Sequence, residues 1–259
     1  MKQNSVVITD AKAAAEVLAK ADQKNPDLNM YRFDPTVPDL FASEGADWDL
    51  RARYLRPALE ALTLSEEVIS TIITQHLRAV LRKYEQSKEL LDMHELSMYL
   101  SFDVLCKDLC NYDLLATAAM AQQGAINGEG NGLYNSLKSL MDAQTARGLY
   151  AAPTDRKVSD DEVAAAKSTL KNFMVKIAEF AETEAKNASV LKKSENFVHA
   201  LLELSMAEPQ SFSKKNILSE IGNCIRHGQD ALSATICWAF YAISSNFEVI
   251  FMSSYCFII

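Results

Sequence analysis

A polar turn, His227-Gly228-Gln229-Asp230, interrupts a long apolar stretch in the last quarter of the chain. The apolar residues around it, from Ile217 to Ala239, recur at spacings of three and four, which is the period of one helix face. A glycine inside a helix costs about 1 kcal/mol relative to alanine, and a carboxylate among apolar neighbours is costly unless it is paired. The pattern therefore predicts a turn that needs close backbone approach at Gly228 and a proton-carrying group at Asp230.

A second set of residues combines an aromatic side chain with two cations. Trp48 is followed by Arg51 and Arg53 in a segment with helical character. A guanidinium can neutralise a carboxylate through charge-assisted hydrogen bonds. On spacing alone, an aromatic anchor on a solvated basic helix face explains these residues equally well.

The composition indicates the fold class that must position both sets. Of 259 residues, 49% are hydrophobic and 23% charged, close to the globular norms of ~45–50% and ~25%. Only 8 glycines and 6 prolines occur, so we expect a mainly α protein. The net charge of -8 argues against a nucleic-acid partner, which requires a basic face.

Capping residues and breakers locate the elements along the chain. We predict one short strand, Val6–Thr9, and loops at 25–38 and in the glycine-rich stretch 122–135. The predicted helices are 11–20 with Asp10 as cap, 44 or 47 to a break at Arg56-Pro57, 66–84 after the capping box 63–66, 92–109, 159–186 with its capping box 159–162, 196–206, and 213 to about 247.

The polar turn and several earlier segments resemble the cytochrome P450 family. Gly228-Gln229-Asp230, with Trp238 and Ala239-Phe240-Tyr241 after it, is similar to the family's central helix. Three further similarities follow the family order: Gly45–Leu59 to the haem-flanking helix, Asp103–Asp113 to a later segment, and Ser5–Asp10 to the start of the N-terminal region. Asn246-Phe247-Glu248-Val249 resembles the Asn-Pro-Glu-Val ending of the central helix.

The resemblance implies a partial cytochrome P450 fold, a helical domain truncated after its long central helix. We expect residues 1–259 to form a single incomplete domain, in which the tail 250–259 matches nothing in the family. The implied function is that of a haem-dependent monooxygenase that oxidises a hydrophobic small molecule with O2. The family's haem carries a cysteine thiolate that favours O–O cleavage, and a reductase or ferredoxin supplies its electrons.

The resemblance also implies roles for individual residues. Gly228 inherits the position that leaves room for dioxygen beside the haem, and Asp230 the position of the acid that relays protons. Trp48 inherits the contact to the haem propionates. The family's basic residue four positions after that tryptophan is Ala52 here, so Arg51 or Arg53 is expected to replace it.

Other positions depart from the family pattern. The alcohol that normally follows the acid is Ala231, and His227 stands where the family has a small residue. The sequence holds no Glu-x-x-Arg pair and no Phe-x-x-Gly-x-x-x-Cys loop, so we expect no metal ligand in this chain. The cysteines outside that context are Cys106, Cys110, Cys224, Cys237 and Cys256.

We therefore expect a fragment that does not hold haem stably and is inactive alone. The sequence does not assign the protein to a cellular compartment. We expect no signal or anchor in this chain, and a longer parent bound at the endoplasmic reticulum or an organelle membrane is one option. The alternative function is a non-catalytic helical interaction protein, or a tail-anchored one in which residues 231–259 enter a membrane. Glu248 is the sole charged residue of that stretch, but its serines and threonines make a poor lipid-facing surface.

Overall fold

The computed structural model describes residues 8–20, 37, 39–41, 43–60, 66–121, 129–146, 158–187, 197–210 and 212–246. Within these ranges the chain is helical and has no strand, which confirms the mainly α prediction. The helices are α1 (Ala11–Lys20), α2 (Gly45–Glu60), α3 (Glu66–Thr71), a π-helical stretch (Ile72–Leu77), α4 (Arg78–Ser87), α5 (Met93–Cys110), α6 (Ala116–Ala121), α7 (Glu129–Ala146), α8 (Asp160–Asn187), α9 (Phe197–Ala207) and α10 (Lys214–Ser244).

The helices α1 and α5 begin at the carboxylates that predict them. Asp10 Oδ1 accepts a hydrogen bond from the backbone N–H of Ala13 at 2.7 Å. Asp92 Oδ1 accepts from the N–H groups of His94 and Glu95 at 2.8 and 3.1 Å. Each carboxylate satisfies amides that a helix leaves without a partner at its first turn.

Reciprocal caps set the starts of α8 and α10. The Ser159 N–H donates to Glu162 Oε2 at 3.0 Å, and the Glu162 N–H donates back to Ser159 Oγ at 3.1 Å. At the start of α10 the Ser213 N–H donates to Asn216 Oδ1 at 3.0 Å. The predicted capping box at Ser159 is thus confirmed.

Three sequence predictions are wrong. Ile8 and Thr9 are not in a strand, and the rest of that prediction lies outside the described residues. The helix α2 continues through Pro57 instead of breaking there, because a proline in the last turns removes only one of the hydrogen bonds that hold the helix. Residues 129–135 belong to α7 and not to a loop.

Residues 122–128 of the glycine-rich stretch, the predicted loop at 25–38 apart from residue 37, and residues 63–65 of the predicted capping box lie outside the described residues. The predicted helix 66–84 is real but is divided by the π-helical stretch and extends to Ser87. The helix α10 is 31 residues long, against a mean of about 11–12, and a turn at Ser245 follows it.

The core forms around the first two thirds of α10. The helix α5 lies along α10, with α8 and α9 packed beside them, α7 on α8 and α2 on α9. Burial of large apolar side chains stabilises this arrangement, and the largest fully buried ones include Phe102, Met174, Ile177, Phe197, Leu201, Phe212 and Ile221.

The last turns of α10 have little packed against them. Trp238 is 69% exposed and Tyr241 63%, with Phe240 and Ile243 also on the surface. An edge-to-face contact joins Trp238 to Tyr241 at 5.6 Å between ring centroids. Among the described helices, none is both long and apolar enough to span a bilayer.

Candidate functional site

One face of α2 lines two adjoining cavities. Trp48, Ala52 and Arg56, spaced by four residues, contribute to both, because positions four apart lie on the same side of a helix. The larger cavity has a volume of about 550 Å³ and is completed by Leu40, Phe41, Leu59 and Glu60. The smaller, of about 350 Å³, is completed by Asp49, Arg53 and Pro57.

Arg51 lies on another side of α2 and points into the protein. Its Nη1 donates to Glu220 Oε1 of α10 at 2.7 Å, and both side chains are almost completely buried. Its guanidinium carbon also lies 5.3 Å from the centroid of the Phe212 ring, a cation–π distance. Arg51 therefore forms an ion pair inside the fold, whereas Arg53 is exposed beside the smaller cavity.

Glu220 joins α10 to the segment that precedes α2. Both of its carboxylate oxygens accept from the backbone N–H of Leu40, at 3.1 Å each. Burial raises the pKa of Glu220 to about 7, against the opposing effects of the Leu40 N–H and the Arg51 guanidinium. The negative charge of Asp39 raises this pKa further.

Phe41 connects the larger cavity to the polar turn of α10. Its ring lies 4.4 Å from the imidazole of His227, centroid to centroid, and the two planes are tilted by 31°. Burial lowers the pKa of His227, and Arg226 adds to that, while Asp39 and Asp230 act in the opposite direction. The half-buried imidazole is thus held mainly neutral near pH 7.

Gly228 is a point where α10 comes very close to α5. A β-carbon there would lie 3.1 Å from Leu105 Cδ2 and 3.3 Å from Leu105 Cδ1, which is tighter than ordinary van der Waals contact. The atoms that come close to Gly228 belong to the Leu105 side chain. The space for dioxygen that the resemblance assigns to Gly228 stays a prediction.

Asp230 is exposed on α10, whereas Gln229 and Ser233 beside it are buried. The Gln229 amide donates to Met98 Sδ of α5, so this part of α10 turns its buried side to α5 and its carboxylate outwards. Ser233 Oγ donates to the backbone carbonyl of Asp230 at 3.1 Å. The proton-relay role that the resemblance implies for Asp230 stays a prediction.

The described cysteines do not have the setting of an iron thiolate. Cys106, Cys110 and Cys224 are buried in α5 and α10, and burial raises the pKa values of Cys110 and Cys224. A cysteine binds a metal as its thiolate. A cationic or metal-bound environment favours the thiolate, and apolar burial disfavours it. Across the residues that the structure describes, no cluster of three His, Cys, Asp or Glu could hold a metal ion.

The cavities nevertheless fit part of a haem. The larger one has an apolar wall with Trp48 and an adjacent cation, Arg56, and a haem edge is a flat apolar ring that carries two carboxylates. The fit covers the propionate edge and not the axial thiolate. Sequence reasoning missed Arg56, although its spacing of eight from Trp48 signals the same helix face.

Other residues of the site had weaker signals or none. Glu220 is an acid within an apolar stripe, which signals a buried partner without identifying it. Phe41 has no signal, because its contact with His227 depends on the tertiary fold. The structure brings Trp48 and Arg53 together at the smaller cavity, and neither Gly228 nor Asp230 is among the described residues that line the two cavities.

Comparisons with known proteins identify the family of the chain. Comparison with curated proteins gave no match. The family model for cytochrome P450 matches residues 1–251 of the 259. The chain, with its long α10 and the tryptophan helix α2, therefore belongs to the cytochrome P450 family.

Proposed function

We propose that α2 and α10 form one side of the haem site of a monooxygenase that oxidises a hydrophobic small molecule with O2, with electrons from a reductase or ferredoxin. Membership of the cytochrome P450 family supports haem-dependent oxidation as the general chemistry. The observation that carries the proposal is the cavity shared by Trp48 and Arg56, which Phe41 joins to His227 beside Gly228 and Asp230.

The proposed cofactor contacts come from α2. Trp48 and Ala52 give the apolar wall against which the ring edge would lie, and Arg56 replaces the missing cation at position 52. Arg53 is the second candidate for a propionate, because it lines the adjoining cavity. Arg51 loses this role in the proposal, because its guanidinium is held by Glu220.

The proposed acid–base contact comes from α10. When bound, haem supplies the activation of O2 by its iron. Asp230 is exposed and can hand a proton from water towards the turn at Gly228, a positioned acid–base role. His227 stands three residues earlier and is mainly neutral, so it can accept a proton from the same side of the helix.

We also propose that this chain alone binds haem weakly and turns over little substrate. Burial raises the pKa values of Cys110 and Cys224, which disfavours their thiolates. A stable carbon-monoxide complex with the spectrum of a thiolate-ligated haem, formed by this chain, would contradict this part.

Titration with haemin tests the cofactor contacts. Trp48 is the reporter in a Trp238→Phe background, because the chain contains two tryptophans and a bound haem quenches a neighbouring indole. Arg56→Gln should weaken haemin binding about tenfold, the loss expected for one charge-assisted pair. The matched control is Arg82→Gln, which removes an exposed arginine of α4.

A second ligand distinguishes binding through the propionates from nonspecific hydrophobic binding. Haemin dimethyl ester has no carboxylates, so Arg56→Gln should leave its binding unchanged. Equal loss for both ligands, or no quenching of Trp48 by either, would overturn the proposal.

The alternative is an interaction protein that uses the exposed end of α10. Trp238 and Tyr241 support it, because large aromatic side chains rarely stay exposed without a partner. Absence of haemin binding together with a stable complex through this end of α10 would favour that alternative.

A further inference from the structure

The buried pair Arg51–Glu220 connects three parts of the chain. Arg51 belongs to α2, Glu220 to α10, and the N–H that shares the Glu220 carboxylate belongs to Leu40, in the segment before α2. Leu40 immediately precedes Phe41. The carboxylate thus anchors the backbone one residue away from the ring that contacts His227.

The anchored segment forms a wall of the larger cavity. Leu40 and Phe41 line it together with the α2 face of Trp48. Loss of the Leu40 N–H bonds should let this part of the segment move, since a buried N–H that loses its acceptor costs about 1–3 kcal/mol and drives the backbone to find another partner.

The pair is also fixed on its other side. The Arg51 guanidinium lies over Phe212, which precedes α10 and is 1% exposed. A bridging charge held between a ring and a carboxylate has little freedom to rotate. Its position therefore determines where the carboxylate, and with it Leu40, can lie.

From these contacts we infer that Arg51 and Glu220 are positioning residues: they hold the segment Asp39–Phe41 between Trp48 and His227, and so set the wall of the proposed cofactor cavity. The use of that cavity rests on the proposed function, whereas the positioning itself is a property of the chain without cofactor. A buried ion pair that served stability alone would be replaceable by neutral groups without moving Phe41.

The test compares ring-current shifts of the His227 imidazole protons in nuclear magnetic resonance spectra, recorded with the imidazole neutral. Phe41→Leu removes the ring and defines the shifts of an uncovered His227. The double variant Arg51→Met, Glu220→Met removes the pair without leaving one buried charge alone, and it also removes the carboxylate oxygens that accept from the Leu40 N–H. We expect its His227 shifts to move to those of Phe41→Leu, and the Trp48 emission, in a Trp238→Phe background, to move with them.

Two controls break other contacts of the same helices. Tyr54→Phe removes the 3.1 Å hydrogen bond from Tyr54 of α2 to Glu208, and Lys214→Met removes the exposed 3.2 Å pair between Lys214 of α10 and Glu182. Neither of these two bonds involves the segment 39–41, so both variants should keep the wild-type His227 shifts and Trp48 emission.

A folded double variant with wild-type His227 shifts and Trp48 emission would overturn the inference. If the double variant does not fold, Arg51→Lys takes its place, because it keeps the charge but not the planar guanidinium that lies over Phe212. Its His227 shifts should then lie between the wild-type and Phe41→Leu values, and unchanged shifts would overturn the inference equally. Haemin titration of the wild-type chain decides the proposed function separately, since none of these readouts requires haem.

Discussion

The Leu105 side chain of α5 crowds Gly228 of α10: a β-carbon at Gly228 would lie 3.1 Å from Leu105 Cδ2. Helices α5 and α10 pack together at this point, within the polar turn. Gly228 therefore has a packing role that can be measured without haem or oxygen.

Gly228→Ala should be neutral or destabilising in the native chain and stabilising by about 1 kcal/mol in a Leu105→Ala background. Alanine favours the helix by about that amount, and the contact with Leu105 offsets the gain only while the leucine is present. Urea unfolding of the four chains measures both differences. The same stabilisation in both backgrounds would show that Leu105 does not restrict position 228.

Asp230→Asn should lower the pKa of His227 further below its ordinary value of 6.5. The carboxylate three residues away favours the protonated imidazole, and the amide does not. Titration of the His227 ring signals measures the change. Asp161→Asn, at an exposed acid of α8, is the control and should leave the His227 pKa unaltered. A His227 pKa that does not respond to Asp230 would remove this pair as a proton path.

The buried carboxyl of Glu220 should make the fold more stable in mild acid. Its pKa of about 7 in the folded chain lies above the ordinary 4.5, so the folded state holds the proton more tightly. The resulting stabilisation is complete below about pH 4.5 and is lost as the pH rises through about 7. The groups that act on this carboxyl are Arg51, the Leu40 N–H and Asp39.

Glu220→Gln should remove that contribution, because an amide does not titrate. The free energy of unfolding, measured at about pH 5 and about pH 8, should fall more between the two values in the wild-type chain than in the variant. An equal fall in both chains would assign the pH dependence to other groups.

Asp103→Asn should destabilise the fold by about 1–3 kcal/mol. Asp103, 3% exposed, accepts from the N–H groups of Ala116 and Thr117 at 2.6 and 2.9 Å and so caps α6. The amide nitrogen of an asparagine would face one of these donors. Asp92→Asn is the matched control at the exposed start of α5, where asparagine caps nearly as well as aspartate. If both variants lose similar small amounts of unfolding free energy, burial of Asp103 adds no cost beyond that at an exposed cap, and the prediction is wrong.

The starts of the long helices could be predicted because their causes are local. Asp10, Asp92 and Ser159 each lie within three residues of the amides they satisfy. The helix α7 was not predicted over 129–135, because its glycines are local breakers and its stability comes from packing on α8. Gly132 itself lies beside Thr169 of α8, with 4.0 Å left for a β-carbon.

The site could be predicted only in part, because some of its features are local in the sequence and others depend on contacts between distant parts of the chain. Trp48 and the turn at Gly228 follow from spacing and family resemblance. The partner of Arg51 is Glu220, which is 169 positions away in the sequence, so no local pattern could show that this arginine is buried. The helical spacing from Trp48 could have identified Arg56. The proline that follows Arg56 predicts a helix break, however, so the sequence does not place Arg56 on the same helix face as Trp48.

The π-helical stretch Ile72–Leu77 affects how related chains should be compared. Its wider turns accommodate one more residue than an α-helix would, and each α-helical residue advances the helix by about 100°. The extra residue therefore rotates the positions of α4 relative to those of α3. Val80 of α4 is fully buried, and His76 Nδ1 in the π-helical stretch lies 3.4 Å from Asp103. An alignment that allows no gap within residues 72–77 will assign the inward-facing positions of one flanking helix to the wrong side.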